Sequence, residues 1–106
     1  MNFVRDVEVF TVTSYPTIHQ FKEAVLDPIP SVLKIEYMDG GENKTLTGTI
    51  HESVEELPGG GWIAEGEDRW IRDIHEGYRN YRLEVSPSGD ALLYIEPPVI
   101  YDCIRF

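Results

Sequence analysis

Positive charge is scarce in this chain. Nine Lys and Arg stand against nineteen Asp and Glu, a net charge of -10 over 106 residues. A field of that sign repels nucleic acid, anionic lipid and nucleotide phosphates, and it favours basic partners. The same excess can also be compositional, a matter of solubility alone. Cysteine is scarcer still. Cys103 stands alone, so no disulfide can form within the chain, and a reducing compartment fits. No stretch approaches the roughly 20 apolar residues that cross a bilayer. The N-terminal MNFVRDVEVF carries Asp6 and Glu8 where a signal peptide needs an uncharged apolar run. Together these absences predict a cytoplasmic protein without a membrane segment. Asn43-Lys44-Thr45 matches a glycosylation acceptor, but without a secretory route it is a chance tripeptide.

Motifs that carry chemistry are missing too. LPGGGW, residues 57–62, invites a phosphate-loop reading and fails it, because Trp62-Ile63 follows where a lysine and a hydroxyl are needed. A dinucleotide fingerprint needs separated glycines, and these are contiguous. Glu52, Glu55, Glu56, Glu65, Glu67 and Asp68, with no base among residues 52–68, would repel an anion. The glycines therefore predict a flexible turn. His51-Glu52 and His75-Glu76 look alike, but adjacent residues share no face of a helix or strand. The HExxH pattern and zinc-ligand spacing are both absent, so no metal and no cofactor are expected. No serine sits in Gly-x-Ser-x-Gly. Cys103 follows Val99 and Tyr101 in an alternation that predicts a buried, unreactive thiol.

What is present is a folding pattern. The chain is 42% hydrophobic and of a size for one domain, residues 1–106. Alternation predicts a strand over 3–13, ended by Tyr15-Pro16. Thr17 and Gln20 have capping-box spacing, and Ile18, Phe21 and Val25 make one stripe, which predicts a helix over 17–26. SVLKIEYM and KTLTGTIH flank Asp39-Gly40-Gly41-Glu42-Asn43, a hairpin with a loop of three to five residues. Residues 52–61 read as loop. Over 67–76, Trp70, Ile71, Ile74 and Tyr78 fall on a helical stripe with Glu65-Arg69 and Asp68-Arg72 at i,i+4, so helix is favoured over strand. A second hairpin turns at Ser86–Asp90, and VIYDCIRF reads as a last strand. The sum is an α+β domain with a mainly antiparallel sheet. About five or six strands, including the two hairpins, carry one or two short helices on one face.

The tract around the tryptophans reads best as an interaction surface. Trp and Arg dominate interface hot spots because they join large area to a polar handle. Trp62, beside the glycines, is the expected exposed anchor, whereas Trp70 belongs to the core stripe. Glu65, Glu67 and Asp68 supply acidic steering, and Arg69 and Arg72 flank them. The functional expectation is a small acidic protein-binding module. It is a monomer or weak dimer acting on a basic protein, as an inhibitor, an immunity protein or a nucleic-acid mimic does. Two other classes fit the composition. One is a ligand-binding domain or enzyme with a pocket between sheet and helices, and the other is a structural subunit of an assembly.

Overall fold

The computed structural model describes residues 7–26, 33–46, 49–72, 75–97 and 99–103, apart from the side chains at 49–50, 69–72, 75–76 and 99–103. Strand β1 (Glu8–Ser14) half-buries Phe10 and Val12 and exposes Val9, Thr11 and Thr13. Helix α1 (Ile18–Leu26) opens on a complete capping box. The Thr17 amide donates to Gln20 Oε1 at 2.8 Å, and the Gln20 amide donates to Thr17 Oγ1 at 3.2 Å. Two otherwise orphaned amides are thereby satisfied. The helix buries Phe21 and Ala24.

Strands β2 (Ile35–Asp39) and β3 (Glu42–Leu46) form the first hairpin. Its loop is Gly40-Gly41, two residues rather than three to five. Both glycines take positive φ, 60° and 87°, the tight turn whose twist matches a hairpin. Strand β4 (Thr49–Glu56) occupies the first half of the tract expected to be loop. A longer correction follows. Strand β5 (Trp62–Arg72) and strand β6 (His75–Val85) pair over eleven positions, from Trp62↔Val85 to Arg72↔His75, where a helix was expected. Local i,i+4 patterns are weak against such long-range pairing.

Strands β7 (Ala91–Ile95) and β8 (Val99–Cys103) share one edge of β6, β7 beside residues 81–85 and β8 beside residues 75–78. Between them the Glu96 amide still donates to the Asn80 carbonyl at 3.0 Å. Pro97 has no amide to continue the ladder. The sheet therefore runs β3-β2-β1-β7-β6-β5-β4, seven strands in one path with β8 as an eighth, against the five or six expected. A single helix is found among the described residues, and it is not long and apolar enough to cross a membrane.

Every pairing is antiparallel, so β3 and β4, at opposite ends of this order, run in the same direction. Yet only residues 47 and 48 separate them, a span of at most about 11 Å from Leu46 to Thr49. The sheet must curl to bring its ends so close. Its inner face is the core: Ile35, Tyr37, Leu46, Trp62, Ala64, Leu83, Val85, Leu93 and Ile95 are buried there, with Phe21 of α1 among them. Lys22 Nζ reaches Glu56 Oε1 at 2.5 Å and ties the helix to the end of β4. The expected burial of Cys103 and Trp70 concerns side chains outside the described residues.

Two turns at one end of the sheet share a pattern. In Leu57–Gly61 and in Ser86–Asp90 the first amide donates to the fifth carbonyl, at 2.7 and 2.8 Å, and the fourth to the first, at 3.3 and 3.0 Å. Proline follows the first residue in both, fixing φ where such turns need it. The glycines of 57–61 are thus a hydrogen-bonded hairpin turn rather than a slack loop.

Candidate functional site

Parity creates an acidic surface. Residues on one face of a strand lie an even number apart, yet His51 and Val54 both turn inward, opposite Gly66 and Ala64. A bulge resolves the conflict by inserting Glu52, so that Ser53 opposes Glu65. Glu52 is thereby brought to the outer side, where Glu65 and Glu67 stand. Partial burial, repulsion from the Glu67 carboxylate, a hydrogen bond with it, and repulsion from Glu65 push the Glu52 carboxyl above its ordinary range. Three carboxyls thus crowd one face of β4–β5. Across the next pair Glu65 faces Arg82, whose Nε is held by Glu84 Oε2 at 2.8 Å.

Several expected site residues lie elsewhere. Trp62 is not an exposed anchor. It starts β5 on the inner face, 8% exposed, with its ring 5.5 Å from Phe21 and edge-on to Tyr15 at 6.0 Å. The neighbouring glycines form the turn, but the strand begins at the tryptophan itself. Asp68 also points inward, 6% exposed, and accepts from Arg79 Nη2 at 2.5 Å and Nε at 3.2 Å. It cannot steer a partner from there. Glu65 is exposed and Glu67 half-buried, both on the outer face. Arg69 and Arg72 occupy β5 positions opposite Tyr78 and His75, with side chains outside the described residues. Glu52 is the residue that sequence reasoning missed. The odd interval between His51 and Val54 was the available signal.

Inside the sheet His51 Nδ1 lies 2.5 Å from Tyr81 Oη, and its ring meets Phe21 edge-to-face at 5.3 Å. Burial pushes the His51 pKa below its ordinary value, so the ring is neutral near pH 7. Burial, then the charges of Glu52 and Glu65, push the Tyr81 phenol above its own. A neutral imidazole against an un-ionised phenol fills a core position and satisfies both polar groups.

A groove of about 600 Å³ opens at the end of the sheet that carries the paired turns. Leu57 and Pro58 wall one side, Pro87 and Asp90 another, with Glu84 and Leu92 between. No histidine lines it. Among the described residues no group of three His, Cys, Asp or Glu could hold a metal ion. Set against protein-family models, curated proteins and solved structures, the chain matches none.

Proposed function

We propose that this protein is a non-enzymatic binding module whose outer β4–β5 face docks on a basic protein. The observation that carries the reading is the crowding of Glu52, Glu65 and Glu67. Partial burial, with repulsion from Glu67 and Glu65, raises the Glu52 carboxyl, and a facing lysine or arginine would relieve the repulsion. Net charge of -10 extends the same attraction to long range. An inhibitor, an immunity protein or a mimic of nucleic acid would use such a face against a basic groove. The pocket reading has less support, because His51 is sealed in the core and the open groove has no histidine.

Affinity capture from the native cell, with and without Glu52→Gln, Glu65→Gln and Glu67→Gln together, tests the reading. A basic protein held by the natural chain should be lost or strongly weakened by the triple variant, with a salt dependence that flattens. Equal capture of that protein by both forms would rule this face out.

A further inference from the structure

We propose that the groove between the β4–β5 and β6–β7 turns receives an extended segment of the partner, one that sets a lysine or arginine beside an aliphatic side chain. The proposal rests on the basic-partner reading and says where the partner's chain is gripped.

Apolar surface gathers there. Four large hydrophobics are exposed among the described residues, and two of them, Leu57 at 36% and Leu92 at 41%, line this groove. A third adjoins it. Val9, 51% exposed, faces the same side of β1 as Thr11, and Thr11 stands directly opposite Leu92. Isolated exposed leucines need no explanation, but apolar residues that converge on a concavity mark a binding site.

Charge defines the occupant. Glu84 and Asp90 line the groove, and no Lys, Arg or His does. Arg82 holds one oxygen of Glu84 from the adjoining position. The row Glu55–Ile63–Glu84–Leu92–Thr11 crosses the same outer side of the sheet as Glu65 and ends in the groove, with Ile63 buried within it. An anion is repelled by both carboxylates, whereas a cationic head with an apolar stem satisfies floor and rim together. The volume, about 600 Å³, lies in the range of sites that enclose a ligand of several residues' bulk rather than one side chain.

The walls are built in advance. Tyr15 Oη donates to the Gly89 carbonyl at 2.7 Å, pinning the end of β1 to the β6–β7 turn. A Cβ at Gly61 would lie 2.9 Å from the Val85 carbonyl oxygen and 3.3 Å from Pro87 Cδ, so the two turns are in close contact. Rigid walls lower the entropy lost on binding.

The test is an NMR titration of the 15N-labelled chain at low salt with two probes, acetyl-Gly-Leu-Arg-Leu-Lys-Gly-amide and the same peptide with serine for leucine. Saturable amide shifts over 11–13, 57–61 and 84–92 are expected with the first peptide, and binding roughly tenfold weaker with the second. Glu84→Gln with Asp90→Asn should also weaken the first peptide by roughly tenfold. If the double variant folds poorly, Leu92→Ser in the natural background should give a comparable loss. Shifts confined to Glu52, Glu65 and Glu67 overturn the groove and leave the basic-partner reading standing. Unchanged affinity in the variants also overturns the groove. No shift with either peptide at millimolar concentration overturns both.

Discussion

His51 and Tyr81, thirty residues apart in sequence, share a 2.5 Å hydrogen bond in the core. The burial of this pair ties stability to pH. Burial lowers the folded-state pKa of His51, while the unfolded chain titrates near ~6.5. Between those two values the unfolded state binds more protons, so stability rises with pH and is lost as pH falls below about 6.5. Urea midpoints should therefore decrease from pH 7 to pH 5. His51→Asn should be less stable at pH 7 but show a smaller decrease. An equal or larger decrease in that variant would assign the acid sensitivity to another group.

Glu52 acts in the opposite sense. Its folded pKa is raised, so its contribution is fully present below the unfolded pKa and is lost as pH climbs through the folded one. At pH 7 the ionised carboxyl is therefore a small liability. Glu52→Gln should raise the melting temperature at pH 7 and make little difference at pH 4, as differential scanning calorimetry at the two pH values can show.

Asp68 and Glu65 stand three residues apart and should respond differently. Asp68 is buried and bonded twice by Arg79, so Asp68→Asn should cost about 2 kcal/mol in a denaturant titration. Glu65 is exposed on a crowded acidic face, and Glu65→Gln should change stability by less than about 0.5 kcal/mol. Equal costs would contradict the inward and outward faces of β5.

Trp62 belongs to the core and should behave so. Trp62→Ala removes contacts with Phe21 and Tyr15 and should cost about 3–5 kcal/mol of folding free energy, measured by chemical denaturation. A cost under about 1 kcal/mol would return the ring to the surface.

How much of this was legible depended on the range of the interactions. The capping box at Thr17 and Gln20 and the turn at Ser86–Asp90 are local devices, and both stand where the sequence places them. The hairpin at Gly40-Gly41 was readable in kind but not in length, because only the positive φ of both glycines decides between two residues and more. Residues 67–76 were misread for the opposite reason. Glu65-Arg69 and Asp68-Arg72 are worth a few tenths of a kcal/mol as helical pairs, far less than an eleven-position ladder with β6. That ladder depends on residues far along the chain. Of the expected site, Glu65 and Glu67 keep their place on the outer face, while Trp62 and Asp68 were assigned to the surface from neighbours in sequence. Strand parity put them inside.

The place of β1 in the sheet has a consequence for synthesis. Its partner β2 follows within some twenty residues, but its other partner is β7, and Glu8 pairs with Ile95. A ribosome must therefore deliver the chain through β7, ending at Ile95, before that flank of β1 is covered. Until then Val9, Thr11 and their backbone amides present an unpaired edge, the kind of surface that recruits a second nascent chain or a chaperone. Contacts of such sequence separation also slow folding. Crowding during translation, rather than the finished protein's stability, is the stage at which this topology is most exposed to misassembly.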